Sequence, residues 1–176
     1  MSHFIHPDGS IGGIYSSRNT KFFMPAGFAL LSEKDGLASA ITHFMAKSIE
    51  AQKSINLDHM DPQNVLPILN NYVYLLRHKP KSKFNIKSIS LPFQRNMYEY
   101  FEESGLIIHS NKNYYAIVAT SKGGVVYACS KTKTANSVFD GGTTLKLRNG
   151  KYATTQALRS DNQISLFEGS VLINVE

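Results

Sequence analysis

Apolar positions change their period near the middle of this chain. Between Asp35 and Lys53 they fall at Leu37, Ala40, Ile41, Phe44, Met45 and Ile49. Steps of three and four put them on one side of a helix, with Lys47, Glu50 and Lys53 elsewhere. A second helix is predicted after Asp61, a good cap, with Pro62 in its first turn. Leu66, Leu69, Val73 and Leu76, with Tyr72, are expected to line its buried side. Pro67 removes a backbone donor, which predicts a kink or a later start there. Pro25 opens a short helix through Leu31. Residues 1–24 read as irregular, with a turn at HPDGS and backbone freedom at Gly12–Gly13.

After Phe84 the signal is that of strands. FNIKSISL is β-branched and predicts a first strand over 84–91. GLIIHS, NYYAIVATS, GVVYACS, TTLKLR, KYATTQAL, NQISLFE and SVLINV follow, separated by turn sequences. Asn149–Gly150, between two of them, is a hairpin signal. The pattern predicts an α+β fold, with N-terminal helices followed by an antiparallel β-sheet or sandwich. The break near Lys79–Lys83 divides an irregular and helical region, 1–80, from an antiparallel β region, 81–176.

Composition adds a charge bias. The 176 residues are 42% hydrophobic and 18% charged, which fits an ordered globular protein, and the net charge is +6. A basic chain attracts polyanions. The densest basic stretch, RHKPKSKFNIK from Arg77 to Lys87, has no base-stacking motif beside it. It reads as a solvated linker, so nucleic acid ranks last among partners. The single Cys129 excludes an intrachain disulfide and sits in an apolar strand pattern as a buried thiol. No signal peptide is visible, and no apolar stretch approaches the ~20 residues a membrane span needs. Localisation is left open.

Several reaction classes lack their motifs. Phosphate loops, dinucleotide-binding glycine patterns, HExxH and GxSxG are all missing. His3 and His6 have a spacing that metals use, but one such pair in a loop is weak, and no metal or organic cofactor is expected. The segment GGIYSSRNTKFFMPAG, 12–27, gathers Tyr15, Arg18 and Asn19. One reading is structural, with Arg18 and Asn19 bonding loop carbonyls and Tyr15 covering a core edge. The other is a site for an acidic sugar, in which Arg18 and Asn19 bind a carboxylate and Tyr15 carries a proton. Such a set suits β-elimination of uronic-acid polymers, where neutralising the carboxylate stabilises the dianion formed at C5. His59, in LDHMDP at a helix entry, and His109, the only sheet histidine, are further candidates. Tyr72, Tyr74, Tyr98, Tyr100, Tyr114 and Tyr115 are candidates for stacking on sugar rings or for packing.

FEESGLIIHSNKNYYAIVATSKGGVVYACSK, 101–131, resembles the C-terminal sheet region of heparinase II/III-like polysaccharide lyases. GGIYSSRNTKFFMPAGFALL resembles a Gly-rich segment of lyase-like proteins associated with bacterial surface polysaccharide. The resemblance implies that the helices are the remnant of an α/α toroid, and that the chain is the C-terminal part of a longer protein. It implies β-elimination on a uronate-containing acidic polysaccharide, with Tyr15, His59 and His109 catalytic and Arg18 and Asn19 binding substrate. The alternative is a non-catalytic carbohydrate-binding or scaffold module. Either a homo-oligomer or an upstream helical domain would complete it.

Overall fold

The computed structural model describes residues 1–16, 20–53, 57, 60–78, 83–132, 137–156, 163–167 and 170–174. The fold is α+β, with helices α1 (Ala26–Leu31), α2 (Gly36–Glu50) and α3 (Pro62–Arg77) preceding the larger antiparallel sheet. The chain forms two compact units. One is Met1–Gly12 with Thr20–Arg95, and the other is Gly13–Asn19 with Asn96–Glu176.

In the first unit, strands β1 (Ile11–Gly12) and β2 (Lys21–Phe22) pair antiparallel. Asp35 caps α2, accepting from the Ala38 amide at 2.7 Å. Ile41 and Met45 are fully buried, and the Phe44 ring lies 5.4 Å from that of Phe93. Small polar residues share this burial. Thr42 returns its hydroxyl to the Ala38 carbonyl at 2.8 Å, so it needs no outside partner.

Asp61 caps α3 by accepting from the Asn64 amide at 3.2 Å and the Asn64 side chain at 2.6 Å. The helix runs through Pro67 without ending there. Its expected inward side is a correction. Leu66 is 73% exposed, Leu76 66%, Leu69 39% and Val73 36%. The helix carries a second apolar stripe, Val65, Ile68, Tyr72 and Leu75, and this one faces inward, with Ile68 fully buried. Asn71, on that same side, accepts from the Ala26 amide at the start of α1 at 3.3 Å.

A second correction concerns 84–91, expected as a strand. It holds a single 3₁₀ turn, Ile86–Ser88, in which Ser88 donates its amide (3.1 Å) and its hydroxyl (2.8 Å) to the Asn85 carbonyl. Phe84 and Ile89 serve packing instead. A Cβ on Gly36 would meet the Ile89 side chain at 2.9 Å and that of Phe84 at 3.3 Å.

The HPDGS turn is a buried polar knot. The Ser10 hydroxyl donates to Asp8 at 2.6 Å, so the 3.0 Å contact between Ser10 Oγ and His6 Nδ1 is made by the imidazole N–H. Lys21 lies 3.9 Å from the other Asp8 oxygen. Burial lowers the His6 pKa to about 4, outweighing the nearby Asp8 carboxylate, which raises it; Lys21 lowers it further.

The second unit is built on the meander β3 (Met97–Phe101), β4 (Leu106–Ser110), β5 (Tyr114–Ala119), β6 (Val125–Ser130) and β7 (Ser137–Asp140), with strands in sequence order. Its edge strands, β3 and β7, are ones that the hydrophobic pattern did not single out. One face carries Ile108, Tyr115, Ile117, Ala119 and Tyr127, all fully buried. The other is half open. Two hairpins follow, β8 (Thr144–Lys146) with β9 (Tyr152–Thr154), and β10 (Gln163–Phe167) with β11 (Ser170–Asn174). The β8–β9 hairpin turns through Asn149–Gly150 as expected, with Gly150 at φ +81°.

Gly123 is held at φ +66°, and a Cβ there would sit 1.5 Å from the Thr155 carbonyl oxygen. Gly150 has no heavy atom within 4 Å of such a Cβ. Gly123→Ala should therefore destabilise by about 2–4 kcal/mol, and Gly150→Ala by only about 1 kcal/mol, in denaturant titrations. Equal losses would mean that the contact with Thr155 is unimportant. His6 gives a pH prediction. Its folded pKa lies below the unfolded 6.5, so the unfolded chain takes the proton first. Stability should be full above pH 6.5 and fall toward pH 4, by a few kcal/mol at most. His6→Gln should flatten that part of the profile whatever its absolute stability.

Candidate functional site

The half-open sheet face concentrates the polar aromatics. Register places Tyr98, His109 and Ala116 directly opposite one another across β3, β4 and β5, and Ala128 and Val138 continue the row across β6 and β7. Opposed residues share a face, and so do residues two apart on a strand. Tyr114, two before Ala116, therefore stands beside His109. The rings of Tyr98 and His109 meet edge to face at 5.6 Å, and those of His109 and Tyr114 at 5.2 Å. The Tyr114 hydroxyl is 2.9 Å from His109 Nδ1. Tyr98 is 44% exposed and Tyr114 36%, so two phenol rings flank a half-buried imidazole. Beyond them on this face lie the short side chains of Ala116, which is buried, and Ala128, which is partly exposed.

The turn that presents Tyr114 is tied down locally. Asn111 Oδ1 accepts from the amides of Asn113 (2.8 Å) and Tyr114 (3.0 Å), the Asx-turn bonding that Asn favours. Just past the end of β6, the Lys131 ammonium donates to the Ser110 hydroxyl at 2.7 Å and to the Asn111 carbonyl at 2.5 Å. Burial lowers the Lys131 pKa. This lysine clamps the end of β4 and the turn, and thereby holds Tyr114 against His109.

Tyr15 lies on the opposite, buried face. It is 5% exposed, and its ring lies 6.2 Å from that of Tyr127 at 58°. Gly13, at φ +117°, starts the turn that delivers it, and the Lys122 ammonium is hydrogen-bonded to the Ser16 carbonyl in the same turn. Tyr115 and Cys129, opposed in register, share that face. The Cys129 thiol donates to the Tyr127 hydroxyl at 2.8 Å. Burial pushes the Tyr115 phenol far above its ordinary range, and Tyr15 and Cys129 add to the effect, so Tyr115 stays protonated. Among the described residues, the neighbours of Tyr15 thus include Tyr127 and Tyr115.

Of the residues expected to act together, Tyr15 and His109 are separated by the sheet. Arg18, Asn19 and His59 lie outside the described residues. The partners that His109 does have are Tyr98 and Tyr114. Their signal was the register itself, since Tyr114 is five residues from His109 across a tight turn. The HPDGS trio is not a hydrolase set, because Ser10 gives its proton to Asp8, receives one from His6 and is buried. Among the described residues no group of three His, Cys, Asp or Glu side chains could hold a metal ion, and no helix is long and apolar enough to cross a membrane. Compared with known proteins, the chain matches no family model, no curated protein and no solved structure.

Proposed function

We propose that this chain binds an acidic, uronate-containing polysaccharide on the open face of the β3–β7 sheet, as part of a polysaccharide-processing protein. The observation that carries the reading is the Tyr98–His109–Tyr114 cluster, with both phenol rings exposed beside the imidazole. Sugar rings present flat C–H faces that pack on aromatic rings, while phenol and imidazole groups supply the polar contacts. A net charge of +6 draws a polyanion to the protein without choosing where it sits.

The 2.9 Å contact between Tyr114 and His109 Nδ1 favours a second reading on the same face, β-elimination by a polysaccharide lyase-like protein. With Nδ1–H donated to the phenol oxygen, His109 Nε2 keeps a lone pair that can take the C5 proton. The C5–H pair becomes the C4=C5 double bond, and the C4–O bond breaks toward the leaving oxygen. Tyr114 gives that oxygen its proton and is re-protonated from Nδ1. Arg18 and Asn19 are the candidates for neutralising the substrate carboxylate.

Binding of the purified chain to a panel of acidic and neutral polysaccharides, at low and high salt, tests the first reading. Saturable, salt-resistant binding to a uronate polymer is expected, with Tyr98→Ala or Tyr114→Ala weakening it about tenfold, ~1.4 kcal/mol. Binding to every polyanion alike, lost in salt, would leave only net charge at work and sink the site. For the second reading, wild-type protein should release an ultraviolet-absorbing unsaturated product from the polymer it binds. Tyr114→Phe, which keeps the ring and removes the proton, should cut product release by at least about a hundredfold while retaining affinity. No product from the wild type would leave a binding module only.

A further inference from the structure

We propose that α3 is a self-association surface, pairing antiparallel with α3 of a second copy of this chain through Leu66, Leu69, Val73 and Leu76. All four are exposed large hydrophobics on one helix. Their steps of three, four and three are those of a coiled-coil seam, with Leu66 and Val73 at one core position and Leu69 and Leu76 at the other. A solvated helix face ordinarily carries charge, yet α3 has no charged residue from Pro62 to Leu76. Such a stripe fits a helix rather than a flat surface, because each side chain is placed to enter a gap between residues of a facing helix.

The ends of the helix select the partner and its direction. Asp61 caps the N-terminus and Arg77 closes the C-terminus, both exposed. In a two-fold, antiparallel pair Leu66 meets Leu76 of the second copy and Leu69 meets Val73, so all four seam positions are filled by mutual contacts. Arg77 then falls beside the first helical turn of the second copy, where Asp61 and the positive helix end place the only acid of the element within reach of a long guanidinium side chain. A parallel pair would put Arg77 beside Arg77 and align the two dipoles. Opposite charges at the ends and none between them complement the same surface turned through the two-fold.

Sedimentation equilibrium of the full chain, from micromolar to millimolar concentration, tests this. The mass should rise with concentration from 19.6 kDa toward twice that value. Leu69→Lys should raise the apparent dissociation constant by at least about tenfold, and Arg77→Glu by several-fold. His43→Lys, on an exposed position of α2, should leave it unchanged. Circular dichroism checks that each variant is folded; should Leu69→Lys unfold, Leu76→Gln at the exposed last turn gives the same reading. A monomer at every concentration overturns the proposal, as does an undiminished dimer in the folded Leu69→Lys or Leu76→Gln variant. A dimer indifferent to Arg77→Glu overturns the antiparallel arrangement.

Discussion

A slip of one residue that moved β5 against β4 would turn Tyr115 and Ile117 toward the open face and Tyr114 inward, away from His109. Strand side chains alternate, so register decides the face of every residue at once. Burial of Tyr115, Ile117, Ala119 and Tyr127 makes the observed register the favourable one. The turn agrees with it. Asn111 accepts from the two amides that follow, and Lys131 grips Ser110 and the Asn111 carbonyl from just past the end of β6. Local hydrogen bonding and core packing therefore specify one pairing, which is the condition for a defined site on the open face.

The same alternation divides the tyrosines of this unit into two chemical populations. Tyr15, Tyr115 and Tyr127 lie inside; burial keeps the Tyr115 phenol neutral, and the Cys129 thiol donates to the Tyr127 hydroxyl. Tyr98 and Tyr114 stand half exposed beside an imidazole. Ring size is the same in both groups. What differs is access, and a proton can be exchanged with a large substrate only on the accessible side.

Much of the architecture was legible from hydrophobic spacing, as the helix over Gly36–Glu50, the capping by Asp61 and the hairpin at Asn149–Gly150 illustrate. The misreadings have a common origin, which is that periodicity gives faces without saying what lies opposite them. On α3 two apolar stripes compete at helical spacing; burial of Ile68 and the bond from the Ala26 amide to Asn71 lie on the stripe that turns inward. The segment at 84–91 is β-branched but has no strand beside it among the described residues, so Ser88 closes a local turn instead. Strand β3, MYEYF, has aromatics at three of its five positions, two of them adjacent, so they do not follow a strict alternation, and its pairing with β4 could be recognised only in three dimensions. The site suffered for the same reason. His109 was visible as a sheet histidine, but its neighbours depend on which strands pair.

Sheet thickness then constrains any catalytic scheme for this chain. Tyr15 belongs to the packed face and His109 to the open one, and side chains leaving opposite faces of a sheet diverge. A single sugar residue cannot meet both. Tyr15 and His109 therefore do not converge on one reacting bond. If chemistry occurs on the open face, the base and acid come from His109 and Tyr114, and Tyr15 contributes by filling the core behind them.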